Sequence, residues 1–170
     1  VLFDYKQQTA SLGFDIERFW SDQFTFELGI GVDWVDYTET GDKPDLDAFL
    51  EPVLRAGLSW DATATTRLRM AVGRKARMPT MRELFGTAIN RFLINPNLRA
   101  EKITTVEVAW ETNSDNYALD VIGFYQDVVD TIDQRRIGSL RQRINLTGST
   151  VIGLEVVGDV HLHEDLTLRG

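Results

Sequence analysis

Few residues in this 170-residue chain have types and spacing that suggest chemistry. Asp42, Asp45 and Asp47 in GDKPDLD offer hard oxygen ligands, but the glycine and spacing of a calcium loop are absent, so they read as a solvated loop. His161 and His163 would share one face of a strand end, yet two imidazoles do not complete a metal centre. No phosphate loop, nucleophile elbow or nucleophile–histidine pair occurs, so we expect no enzyme, no cofactor and no metal. Asn145-Leu146-Thr147 matches a glycosylation acceptor, a pattern common by chance. The remaining group is Arg77, Arg82, Glu83, Arg91 and Asn97, all within ARMPTMRELFGTAINRFLINPNLRAEK at residues 76–102. Their charges and hydrogen-bond donors suit ligand contact, or equally the holding of a loop in shape. Which of these applies depends on the elements that carry them.

Composition narrows those elements. The net charge of -8 argues against a groove for nucleic-acid phosphates, so no nucleic-acid partner is expected. Without cysteine there is no disulfide framework and no thiolate metal site. No apolar run is long enough for a membrane-spanning helix, which leaves barrel strands open because their signal is weaker. Residues 1–20 show no secretory leader pattern. The chain begins at Val1, and its last residues read as the start of another strand, so we expect a piece of a longer protein.

Period two dominates the chain. Phe24, Phe26, Leu28, Ile30, Val32 and Trp34 alternate with Thr25, Glu27, Gly29, Gly31 and Asp33, giving one apolar and one polar or small face. Ala10, Leu12, Phe14 and Ile16 repeat the pattern. So do Leu50 to Trp60 opposite Glu51 and Arg55, and Leu68, Met70 and Val72 opposite Arg67 and Arg69. Val106, Val108 and Trp110 lie opposite Glu107 and Glu111, and Ile152, Leu154 and Val156 opposite Gly153 and Glu155. Alternation blurs at Ile122-Gly123-Phe124, for which a bulge is one explanation. Connections alternate in length. Trp20–Gln23, Asp61–Thr65, Thr112–Asn116 and His163–Asp165 are short, whereas Glu39–Phe49, Arg77–Lys102 and Asp133–Gln142 are long. Every second connection of an up-and-down sheet lies on the same edge, so one edge carries tight turns and the other large loops, as in outer-membrane barrels. Trp20, Trp60 and Trp110 fall at the short-turn edge, and Trp34, with Tyr37 nearby, toward the other, which matches two interfacial aromatic girdles.

These features predict an all-β fold: an antiparallel up-and-down transmembrane β-barrel, present as an incomplete segment of about eight strands within one domain. Two alternatives stay open. One is a small closed barrel with an anchoring or adhesive role, which pairing between Thr9–Glu17 and Leu166–Gly170 would support. The other is a soluble β-sheet binding module. Within the long segment, Pro79 suits the first turn of a helix over Thr80–Phe85, with Gly86 ending it in a left-handed conformation. Asn95-Pro96-Asn97-Leu98 is turn chemistry.

The arrangement resembles the carboxy-terminal half of TonB-dependent outer-membrane receptors. Arg77, Pro79, Glu83 and Leu84 match the family's Arg-x-Pro-x-x-x-Glu-Leu; Asn95, Pro96, Leu98 and Glu101 match its Asn-Pro-x-Leu-x-Pro-Glu, with Ala100 at the usual proline. Asn145 with Gly153 and Glu155 resembles its Asn…Gly-x-Glu strand, and Gly123 to Val128 its Phe-Tyr strand. The resemblance implies that Trp20, Phe24, Phe26, Leu28, Ile30, Trp34, Trp60, Trp110, Leu154 and Val156 meet outer-membrane lipid or form its girdles. It implies that Glu27, Asp33, Arg55, Arg67, Arg69, Glu107, Glu111 and Glu155 face a lumen filled by a plug domain missing from this chain. It implies active uptake across the bacterial outer membrane of a bulky, scarce small-molecule ligand, an iron chelate ahead of cobalamin or a glycan, driven by the TonB complex through that plug. Arg82, Arg91 and Asn97 become candidate ligand contacts, and Thr87–Ile94 the stretch most particular to this protein.

Overall fold

The computed structural model describes residues 4–87, 91–163 and 166–170, with backbone alone for residues 162 and 163. Strands run β1 Tyr5–Phe19, β2 Phe24–Thr40, β3 Phe49–Asp61, β4 Thr66–Arg77, β5 Phe92–Leu93, β6 Glu101–Asn113, β7 Tyr117–Val129, β8 Ile132–Ile137, β9 Leu140–Asn145, β10 Gly148–His163 and β11 Leu166–Arg169; helix α1 is Met81–Phe85. Eight of them form one sheet in the order β1-β2-β3-β4-β6-β7-β10-β11, with neighbours antiparallel. β5, β9 and β8 form a second, small sheet. The large sheet is open: among the described residues β1 pairs only with β2, and β11 only with β10, so Thr9–Glu17 and Leu166–Gly170 do not meet.

Register carries the alternation from strand to strand. Phe24, Trp60, Leu68, Trp110, Val121 and Val156 share one row near the short-connection edge. The rings of Phe24 and Trp60 stack there at 6.0 Å. Further along the same face, one row reads Phe14, Ile30, Leu54, Arg74, Thr104, Asp127 and Thr150. On β2 the apolar band continues past this row to Trp34, four residues on, whereas on β10 it stops two residues short of the row, at Ile152. The band therefore crosses the hydrogen-bonded rows obliquely. This face stays bare: Leu12, Phe14, Ile16, Leu28, Ile30, Ile152 and Leu154 each expose more than half of their surface.

Three sequence expectations need correction. The register runs unbroken through Ile122-Gly123-Phe124, so there is no bulge; the described register shifts fall at Lys6/Gln8 and His161/His163. Alternation blurs because Ile122 and Phe124 put apolar side chains on the polar face, where the Phe124 ring occupies the space that a Cβ at Gly153 would need. The last long connection spans residues 130–147 and folds into the β8–β9 hairpin. Asn145 therefore ends β9 rather than joining the wall strand that carries Gly153 and Glu155. Tyr37 is not a girdle residue: it lies on the polar-face parity and is 4 % exposed.

Candidate functional site

All three long connections converge on one lobe. Its core is Val35, Tyr37, Leu84, Phe85 and Leu98, with Leu46 packed from the first connection, Phe49 from the start of β3, Met78 and Met81 from the second connection and Ile132 from the third. Above Trp34 the apolar side chains of β2 change face, since Val35 and Tyr37 carry the parity of Asp33 and not that of Ile30. The Tyr37 ring meets Phe49 edge-on at 6.0 Å, and its hydroxyl donates to the Pro79 carbonyl. Leu84 is fully buried and Leu98 is 2 % exposed.

Helix α1 begins with a capping box. The Glu83 amide donates to Thr80 Oγ1 at 3.2 Å, and the Thr80 amide donates to Glu83 Oε2 at 2.9 Å. Thr80 is thus the cap, and Pro79 precedes the helix instead of opening it. Gly86 is extended at φ -69°, not left-handed. Glycine is needed there for close approach, because a Cβ would collide with the Arg82 carbonyl that accepts from the Gly86 amide.

Arg77 ties this helix to the wall. Its guanidinium donates to Glu83 Oε2 at 3.0 Å and, through Nε, to Glu101 Oε2 at 2.5 Å. Glu101 is 8 % exposed, and its other oxygen accepts from the Ile132 amide at 2.6 Å, which joins the second connection to the third. Burial pushes the Glu83 carboxyl up, but the hydrogen bonds from Arg77 and Thr80 outweigh it and leave it below its ordinary value.

The hairpin is fastened by amides and guanidinia. Asn95 donates to the Arg143 carbonyl at 2.8 Å and accepts from the Asn97 amide at 3.1 Å. Asn145 accepts from the Arg99 amide at 2.8 Å and donates to the carbonyls of Arg99 and Asp130 at 3.0 and 2.7 Å. Asp130 is left-handed at φ 58°, a conformation its short polar side chain tolerates, and it pairs with Arg99. Arg143 lies 4.6 Å over the Phe92 ring and donates to the Arg82 carbonyl at 2.9 Å.

Among the expected ligand contacts, Arg82, Arg91 and Asn97 all end in exposed side chains on this lobe. Sequence reasoning missed what stands beside two of them. The Arg91 carbonyl accepts from the Arg141 amide at 3.0 Å, and Arg141 lies opposite Arg136 in the hairpin. Arg135, Arg136 and Arg141 are exposed as well, so besides Arg99, which pairs with Asp130, the lobe presents five exposed arginines among the described residues, in a chain of net charge -8. A signal was available: Gly138-Ser139 between Ile137 and Leu140 is a two-residue hairpin turn, and Gly138 supplies φ 62°. Part of Thr87–Ile94, residues 88–90, lies outside the described residues.

On the polar face, Glu27, Asp33, Arg55, Arg67, Arg69, Glu107, Glu111 and Glu155 share one parity. Arg55 reaches across Gly29 to Asp15 at 2.8 Å, through space that any Cβ at Gly29 would fill. Arg69 pairs with Glu111 at 2.9 Å and Arg67 with Asp61 at 2.6 Å; the Ser11 hydroxyl donates to Asp33 at 2.7 Å. A hollow of about 440 Å³ on this face is lined by Arg69, Lys75, Glu107, Phe124, Gln126 and Glu155. His161 bonds Thr167 at 2.8 Å, while the side chain of His163 lies outside the described residues. Among the described residues no group of three or more potential metal ligands occurs.

A family model described as "TonB dependent receptor-like, beta-barrel" matches residues 3–169. Among solved structures, the siderophore receptor PirA from Pseudomonas aeruginosa superposes with a TM-score of 0.80 at 20 % identity, covering 95 % of this chain and 30 % of that one. The FrpB iron transporter from Neisseria meningitidis gives 0.77 at 15 % identity, covering 95 % and 25 %. The copper transporter OprC gives 0.78 at 19 % identity, covering 96 % and 27 %. The chain thus spans less than a third of the length of each. No curated protein matches it by sequence.

Proposed function

We propose, for a chain that belongs to the TonB-dependent receptor-like β-barrel family, that it forms part of the wall and outer loops of a bacterial outer-membrane uptake receptor. In this reading the apolar face meets lipid and the polar face meets a plug domain through which the TonB complex delivers energy. The long-connection edge faces outside the cell. Its cargo is a bulky, scarce ligand, an iron chelate ahead of cobalamin or a glycan. The lobe carries this reading: three connections share a packed core and present Arg82, Arg91, Arg135, Arg136 and Arg141 to solvent. Iron chelators bind the metal through oxygen anions, and their complexes often keep negative charge, which guanidinia recognise with charge-assisted hydrogen bonds.

The test is equilibrium binding of ferric chelates to the intact receptor. Replacing Arg91 and Arg141 together by alanine should weaken an anionic ferric chelate at least tenfold, and raising salt should erode wild-type affinity in the same direction. Cobalamin or an uncharged glycan binding tightly, with no response to the double variant, would reject the chelate reading while leaving the receptor architecture standing.

A further inference from the structure

We infer that the β3–β4 seam on the apolar face binds one phosphorylated membrane lipid, with an acyl chain in a groove and the phosphate on Arg74. The inference rests on the reading that this face meets lipid.

Along the seam Leu58 pairs with Met70, Ala56 with Val72 and Leu54 with Arg74. Ala56 is a small side chain between Leu54 and Leu58, so the band is dented there. The dent is a groove of about 280 Å³ lined by Ala56, Gly57, Leu58, Met70, Val72 and Val106, without a charged residue. Directly above it stands Arg74. Its row is apolar through Phe14, Ile30 and Leu54 and then presents a guanidinium on β4. Val72 lines the groove and Arg74 is the next side chain of β4 on that face, so groove and cation adjoin.

Arg74 is exposed and has no ion pair among the described residues. Asp127 shares its row two strands away, at roughly 10 Å by ordinary strand spacing. The other cation near this border, Lys102, already has a carboxylate partner, Glu51, at 3.5 Å. An uncompensated guanidinium at the margin of hydrocarbon is costly unless an anion reaches it. The anions that a lipid-facing surface meets are headgroup phosphates, whose oxygens fit a guanidinium in bidentate fashion. The lipid bearing such a phosphate would lay its chain along the apolar dent one row below.

Trp60 supplies the readout, since it lies two residues beyond Leu58 on the same face of β3, toward the short-connection edge. The intact receptor in neutral detergent is titrated with phosphatidic acid carrying brominated acyl chains, and quenching of tryptophan emission is followed. Saturable quenching is expected for the wild type. Arg74→Gln should weaken it at least tenfold, Arg74→Lys should restore part of it, and Ala56→Leu should weaken it by filling the groove while the charge stays. Brominated diacylglycerol should not saturate. Equal affinity in the wild type, Arg74→Gln and Ala56→Leu overturns the site. Bulk brominated phosphatidylcholine in vesicles separates the two readings. If it quenches no tryptophan, both the lipid contact and this site fail. If it quenches but phosphatidic acid adds nothing dependent on Arg74, this site alone fails.

Discussion

The wall and the lobe treat apolar side chains in opposite ways. On the wall, Leu28, Ile30, Ile152 and Leu154 point outward and bury little against one another. In the lobe, Leu84, Phe85 and Leu98 are almost wholly removed from solvent, together with Val35 and Tyr37 from the end of β2. Water drives apolar groups together, but a hydrocarbon solvent does not. The same strand obeys both regimes in turn: β2 shows its apolar set on one face up to Trp34 and buries the other face immediately after. On the proposed reading, in which the apolar face meets lipid, the switch marks where the chain leaves one solvent for the other.

This contrast can be broken by substitution. Leu84→Ala should destabilise the lobe by about 2–5 kcal/mol, as loss of a fully buried leucine does. Hydrogen exchange should then accelerate in α1 and in the β8–β9 hairpin while the amides of β2, β6 and β7 keep their protection. Equal loss in the wall would mean that the two regions form one cooperative unit, and the contrast would fail. Next in size, Leu28→Arg or Val156→Arg should cost about 2–4 kcal/mol for folding into vesicles if either lies at mid-bilayer. A cost under about half a kcal/mol would argue against lipid contact. The smallest effect concerns pH. Glu83 has a folded-state pKa below its ordinary 4.5, so its contribution is complete above that value and is lost as pH falls through the folded pKa. Protection of α1 amides should decline below pH 4.5, and Glu83→Gln should flatten that decline.

The wall was legible in the sequence because its information is local. Period two needs only the neighbouring residues, and the aromatic residues Trp20, Trp60 and Trp110 sit beside short connections that a reader can count. The lobe was legible only in part. The Arg77, Glu83 and Glu101 motif could be recognised, but its partners could not. Arg143 bonds the Arg82 carbonyl across 61 residues, and Asn145 bonds Arg99 across 46. The β8–β9 hairpin lacks apolar alternation because, apart from Ile132 at its start, it leans on the lobe through hydrogen bonds and a cation–aromatic contact. From sequence alone Asn145 therefore reads as part of the wall strand, and the arginines of the hairpin give no pattern of their own. Tyr37 misled for a related reason: an aromatic residue near the end of a barrel strand looks interfacial until a third element covers it.

The oblique apolar band has one more consequence. Between β2 and β10 its upper limit shifts by six residues over five strand-to-strand steps. At about 3.3 Å per residue and about 4.8 Å per step, that slope corresponds to strands leaning about 40° from the membrane normal. This falls within the 35–45° usual for barrels that cross a membrane. A wall with this slope cannot close level, row upon row. A barrel closed from such a wall would close as a screw, with each circuit meeting itself displaced along the strands, and strand number and that displacement together would set the width of the bore. The 17 residues of β2, leaning at about 40°, rise roughly 43 Å. That exceeds a hydrocarbon core of about 30 Å, so a strand of this length and lean would reach beyond one.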